Sequence, residues 1–370
     1  MERKGTAVLP LHYGHPPEYL YKRMITLGGY ISDLIIERFG VDELLQKLSD
    51  PFWFHSMSLA IGFDWNSSGT TTTTLSALKE YYSSHLSSVR ILGGKGQSMS
   101  FIGHELDKLV SDGFLAEGTA MGIREKAKRI ARIDENLLQD GYDLYLQFLV
   151  IHDSGKWVII QQGLNSGLRM ARRYHWHHRT SGNLIDDGRN GISAEFVHDS
   201  VLDLSTRVSE PNRKSMVEIT RERPESLIQY ANPKGLPRGQ STLDGSRPLG
   251  KVLNMDVRIN WKKLREIYEY EPADFESLMN FKGAGKSTLR ALSYLAEVVY
   301  GDTPSFRDPV KFSFAVGGKD GIPKPVNTFD YDAAIGFFRE ALSGTEMQRE
   351  ALNRLMRSMA RYSYSRSSVS

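Results

Sequence analysis

Two lysines sit between glycines: Lys95 in Gly93-Gly94-Lys95-Gly96, and Lys319 in Gly317-Gly318-Lys319-Asp320-Gly321. Because their neighbours carry no side chain, such amines can approach a substrate closely. An amine so placed can attack the ring-opened sugar of an abasic nucleotide, form a Schiff base and allow strand scission by elimination. Asp320 is positioned to accept a proton, although a carboxylate beside a lysine also holds the amine protonated. Each lysine taken alone also reads as a solvated turn residue.

A second group is Tyr174-His175-Trp176-His177-His178-Arg179. On a strand His175 and His177 share one face, which suits a divalent metal with His178 nearby and Asp186, Asp187 or His198 as further ligands. With Arg172 and Arg173 the same stretch reads as a basic, aromatic surface for a phosphate backbone, Tyr174 or Trp176 stacking on a base. Plain structural use is the third reading. A classical metal nuclease is disfavoured, because the acidic-x-Lys step occurs only at Glu2 and Lys4.

The third group is Lys282-Gly283-Ala284-Gly285-Lys286-Ser287, set between two stretches of helical apolar spacing. It resembles the helix-hairpin-helix motif, which grips a backbone phosphate without reading bases. Gly283 and Gly285 permit a tight turn that brings bare amides to an anion at the start of the next helix, with Lys282, Lys286 and Arg290 outside it. A nucleotide-binding P-loop would need glycine at position 280, where Asn280 stands, and a buried strand before it. The glycosylase lyases of this motif carry their lysine two positions after the second glycine, which is Ser287 here, so the resemblance implies phosphate binding only.

The elements that must hold these groups follow from periodicity. Apolar spacing predicts helices over residues 19–39, 41–48, 75–86, 101–110 and 123–138, with a break at Asp50-Pro51 and a threonine run, 70–74, capping the third. Residues 93–96 read as a flexible loop. From 142 the period changes, and two strands, 142–151 and 156–162, are joined by His152-Asp153-Ser154-Gly155. Residues 209–250 are rich in proline and glycine and read as a linker or mobile loop. Helices are expected at 261–270, on both sides of the hairpin, and at 331–342 and 345–359. The class is therefore α+β, mainly helical. Its parts are a helical 1–140, a mixed 141–208, a linker 209–255, a helical 256–362 and a frayed tail 363–370.

Of the 370 residues, 47 are basic and 44 acidic, so the net charge of +3 predicts a basic face only through clustering, as at residues 163–180. The absence of cysteine excludes disulfides, thiolate nucleophiles and cysteine metal sites. No signal-like start and no long apolar run are visible, which predicts a soluble cytoplasmic protein without membrane partners.

Several segments together are similar to one family: Leu9-Pro10-Leu11-His12-Tyr13-Gly14-His15, Asp50-Pro51-Phe52-Trp53-Phe54, Gly62-Phe63-Asp64-Trp65, Gln161-Gln162-Gly163-Leu164-Asn165, Ala171-Arg172-Arg173-Tyr174-His175-Trp176 and Gly317-Gly318-Lys319-Asp320-Gly321. They resemble the domain-of-unknown-function 763 family over nearly the whole chain. The resemblance implies a cytosolic, thermophilic prokaryotic, mainly archaeal origin, and no mapped active site. The expected function is a DNA-binding protein of repair or processing, acting on abasic or damaged DNA through Lys319 or Lys95. The alternatives are a metal-dependent nuclease around His175, His177 and His178, or a non-catalytic DNA- or RNA-binding accessory protein. No cofactor is expected beyond that divalent metal.

Overall fold

The computed structural model describes residues 18–62, 68–85, 87–179, 183–194, 197–231, 259–310 and 312–313. Helices α1 (Glu18–Phe39), α2 (Val41–Ser49), α3 (Pro51–Ala60) and α4 (Ser68–Ser84) come first. Strand β1 (Val89–Lys95), α5 (Gln97–Ser100), α6 (Ile102–Ser111) and α7 (Glu117–Arg132) follow, and α7 runs into a π-helical turn, Ile133–Leu137. Next come β2 (Leu138–Gln139), β3 (Asp143–His152), β4 (Trp157–Asn165), β5 (Met170–His177), β6 (Gly191–Ala194) and β7 (Leu202–Asp203). Helices α8 (Glu210–Arg221), α9 (Pro224–Ala231), α10 (Trp261–Tyr270), α11 (Phe275–Asn280) and α12 (Lys286–Tyr300) precede β8 (Phe312–Ser313). The class is α+β, mainly helical, as the pattern predicts.

Six strands form one sheet in the order β1-β3-β4-β5-β6-β8, antiparallel except for the last pair. Helices cover both of its faces, which is why β3 and β4 are near-continuous apolar runs. Leu146, Phe148, Val150, Val158 and Ile160 join one core with α1 to α4. Leu149, Ile151, Trp157 and Ile159 join the other, with residues of α6, α7, α8, α10, α11 and α12. This second core takes buried side chains from Leu92 to Ala296, so early helices and late helices share it. The β3–β4 turn matches its composition: Gly155 has φ 81° and the His152 amide donates to the Lys156 carbonyl at 2.9 Å.

Four expectations need correction. Residues 93–95 are not a loop but the end of β1, paired from Gly93↔Phe148 to Lys95↔Leu146. Glycine is needed there because a Cβ on Gly93 would lie 2.3 Å from the Gln147 carbonyl oxygen. Lys79 and Glu105 occupy the backbone of Gly93 from the side, Lys79 Nζ donating to its carbonyl and Glu105 accepting from its amide, which blocks the open edge of β1. The threonine run lies inside α4, with Thr70, Thr71 and Thr74 buried. Residues 210–231 are helical rather than a linker, and Met216, Ile219 and Leu227 are core. The helix expected to reach 138 ends at Arg132 and continues as the π-helical turn. Lys319, Asp320, the helices expected at 331–342 and 345–359, and the tail lie outside the described residues.

Candidate nucleic-acid interface

The two helices of the glycine hairpin form and pack as one unit. Asp274 caps α11 through a reciprocal pair: its carboxylate accepts from the Ser277 amide at 2.7 Å, and Ser277 Oγ accepts from the Asp274 amide at 3.0 Å. Leu278, Met279, Ala284, Leu289 and Leu292 are all buried, which fixes the angle between α11 and α12. The turn between them depends on Gly283 at φ 106°. The first backbone bond of α12 runs from the Leu289 amide to the Gly285 carbonyl, so the amides of residues 286–288 have no backbone acceptor. Lys282 and Ser287 are exposed beside them.

The other two cations of the hairpin are struts. Lys286 Nζ donates to the Tyr142 carbonyl at 3.1 Å and pairs with Asp143 at 2.5 Å and Glu135 at 3.0 Å. Burial pulls its pKa down, but hydrogen bonds and charge from Asp143 and Glu135 outweigh this and hold the amine above its usual value. Arg290 Nε donates to Gln139 Oε1 at 2.7 Å, and Gln139 Nε2 donates back to the Lys286 carbonyl at 2.9 Å. The π-helical turn makes this docking possible, because it sends Asp134 into the core and Glu135 toward the hairpin.

Through Lys286 the hairpin is fastened to the end of the sheet where β3 begins. Lys95 ends β1 at that same end, three residues along β3 from Asp143, with Nζ 5.7 Å from the centroid of the Tyr145 ring. The β4–β5 turn is there too, carrying exposed Arg169 in the left-handed region at φ 56° and Leu168 beside it. So is the start of α4 on the opposite face, since Gln162 Nε2 donates to the Ser68 carbonyl at 2.9 Å and also bonds the Tyr145 hydroxyl. One end of the molecule thus gathers Lys95, Arg169, Lys282 and the N-terminal ends of two helices.

Arg172, Arg173, Tyr174 and Trp176 are not at this surface. All four have no exposed area, and a nucleic acid cannot reach them. Arg172 lies between the carboxylates of Asp140 at 3.1 Å and Asp308 at 2.5 Å, and the Tyr174 hydroxyl donates to Asp140 at 2.9 Å. Trp176 Nε1 donates to Asp134 at 2.8 Å, a buried carboxylate that also pairs with Arg189. The metal set is not assembled either. Both ring nitrogens of His175 are occupied, Nδ1 against the Leu48 carbonyl at 2.9 Å and Nε2 accepting from Arg173 at 2.9 Å. The rings of His177 and His178 lie 4.3 Å apart, and His177 Nδ1 accepts from the Arg179 amide. Among the described residues no three metal-ligating groups come together.

Arg173 differs from its neighbour in having no carboxylate partner among the described residues. Its guanidinium donates to His175, Thr71 Oγ1 at 3.2 Å and the Pro51 carbonyl at 3.3 Å, and lies 4.5 Å from the Phe54 centroid. Burial alone pulls its pKa down to about 9. It belongs to one register row, Lys95, Leu146, Gln162, Arg173 and Ser193, running across five strands. Gln162 and Ser193 also have no exposed area, and Gln162 Oε1 and Ser193 Oγ lack hydrogen-bond partners. Tyr145, Gln162 and Ser193 escaped the sequence reading. Their signal is polar residues at inward positions of strands that are otherwise apolar.

No described helix is long and apolar enough to cross a membrane. Nothing among the curated proteins or the solved structures matches the chain. One family model, described as a protein of unknown function (DUF763), matches residues 5–326, most of the chain including the hairpin and the whole described sheet. The chain belongs to the DUF763 family.

Proposed function

We propose that the chain is a DNA-binding protein of DNA repair or processing that holds the sugar–phosphate backbone at the β3 end of the sheet. The observation that carries this is the α11–α12 hairpin, whose unbonded amides at residues 286–288 stand beside exposed Lys282. Because Lys286 and Arg290 are spent on docking, contact falls to the amides, Lys282, and the outlying Lys95 and Arg169. Such contacts bind backbone without reading bases, so affinity should fall steeply with salt and vary little with sequence. The test is a salt titration of DNA binding. Wild-type protein should show a log–log slope of about −2 to −4, and Lys282→Glu should weaken binding and flatten the slope by about one. Equal slopes in the two proteins would refute the hairpin as the contact.

A lyase step through Lys95 is the second reading, favoured by its exposed position on the same end of the sheet. Borohydride reduction in the presence of an abasic oligonucleotide should trap wild-type protein and not Lys95→Ala. Trapping that survives this substitution removes Lys95 as the nucleophile, and an RNA preference in the same binding assay would redirect the partner.

A further inference from the structure

We propose that the DNA site is composite: Arg132, at the end of α7, is a second phosphate contact beside Lys282 and is set in place by Asn280, an assignment that rests on the hairpin reading and adds to it a side chain from a distant part of the chain.

Residues 129–139 run alongside the hairpin and touch it repeatedly. Arg129 pairs with Glu276 at 3.0 Å, and Arg132 Nη1 donates to Asn280 Oδ1. Further on, Glu135 pairs with Lys286 at 3.0 Å, and Gln139 Oε1 accepts from Arg290 at 2.7 Å. The first and third of these contacts are closed ion pairs, so their charge is cancelled where it stands. The fourth ties half-buried Arg290 to a glutamine with almost no exposed area. At the second, an exposed cation meets an exposed neutral partner. Three residues earlier Arg129 is met by a carboxylate, whereas Asn280 holds the Arg132 guanidinium without cancelling its charge.

Among the described residues no carboxylate pairs with Arg132 or with Lys282. Lys282 stands two residues beyond Asn280, so the two uncompensated cations share the tip of the hairpin. One acceptor on Arg132 leaves the other N–H groups of its planar fork for a bidentate phosphate contact. Both partners sit on fixed backbone, because Ala127 and Ile130 anchor α7 and Leu278 and Met279 anchor α11 in the same core. A side chain held in this way loses little freedom on binding. The ligand that fits is the backbone of one DNA strand, with neighbouring phosphates at Lys282 and Arg132. A purely structural Arg132, serving the negative end of α7, has no part in DNA binding.

The experiment is a salt titration of the whole protein on a duplex oligonucleotide, with the thermal midpoint of each variant measured alongside. Arg132→Gln should weaken binding severalfold and flatten the log–log salt slope by about one, as Lys282→Glu does. Arg132→Lys should keep the wild-type slope, and Asn280→Ala should weaken binding at an unchanged slope, because the charge remains and its placement is lost. A wild-type slope in Arg132→Gln, with a flattened one in Lys282→Glu, overturns the composite site and leaves the hairpin reading standing. A flattened slope in Arg132→Gln alone would put the contact off the hairpin and overturns it too. Equal slopes in wild type and in both charge variants remove the hairpin reading and Arg132 with it. Wild-type affinity in Asn280→Ala ends the positioning role of that residue.

Discussion

Arg172 and Arg173 are adjacent on β5 and equally buried, yet the same substitution should cost much at the first and little at the second. Arg172→Met leaves the carboxylates of Asp140 and Asp308 facing each other in the core, both without exposed side-chain area. Removing one partner of a buried ion pair costs about 3–5 kcal/mol, and here two carboxylates are stranded. Arg173→Met strands none. Burial holds its guanidinium below its ordinary range, down to about 9, so at pH 7 its charge opposes folding by very roughly 5 kcal/mol. Set against this are hydrogen bonds to His175, Thr71 and the Pro51 carbonyl, at about 1–2 kcal/mol each, and the contact with Phe54. The terms nearly cancel, so Arg173→Met should change stability by no more than about 1.5 kcal/mol. The sign in pH follows as well. Above pH 9 the unfolded chain holds a proton that the folded one releases, so wild-type stability should rise as pH climbs past that value. Urea denaturation followed by tryptophan fluorescence measures both variants at a common m-value. The reasoning fails if Arg173→Met costs as much as Arg172→Met.

Acid sensitivity is the second expectation. Burial lowers His177 to about 4 and His55 to about 3, so both are neutral when folded, and stability should fall as pH drops from 6.5 toward 4. Burial holds the carboxyls of Asp134 and Asp203 above the usual range, and these act in the opposite direction as they protonate. His177→Gln cancels that background and should reduce the slope near pH 5 by about 1 kcal/mol per pH unit, with an unchanged slope speaking against a neutral buried ring. Gly283→Ala places a side chain at φ 106° with its Cβ 2.7 Å from Lys263 Nζ, and should cost about 1–3 kcal/mol while weakening DNA binding. A fully stable Gly283→Ala protein would show that the turn is not constrained as described. Lys286→Met should lower the thermal midpoint by detaching the hairpin from Glu135 and Asp143, and hydrogen exchange should report faster opening of α11 and α12 than of β3.

Local chemistry explains what was legible beforehand. The β3–β4 hairpin showed in its apolar runs around Asp153-Ser154-Gly155, and the α11–α12 unit showed in its glycines and its leucine spacing. β1 was hidden because Gly93 and Gly94 look like a loop when the strand that crowds them is not known. Helices α8 and α9 were hidden by the polar, proline-bearing stretch they open. Their burial comes from Met216, Ile219 and Leu227 meeting α12, contacts made across some 70 residues of chain.

The run from Arg172 to His178 misled most. Arginine, histidine and aromatic side chains in sequence resemble a binding surface, and only the carboxylates of Asp134, Asp140 and Asp308, from distant segments, allow β5 to be buried. The amino-acid sequence by itself determined the class of the fold, the family, and a turn suited to a phosphate. The tertiary structure decided which cations are free to use their charge. That choice depends on where opposite charges and helix ends arrive in space, so Lys286, Arg290 and Arg172 became struts, Lys282, Lys95 and Arg169 stayed at the surface, and Arg173 lies beneath α4 with no carboxylate among the described residues.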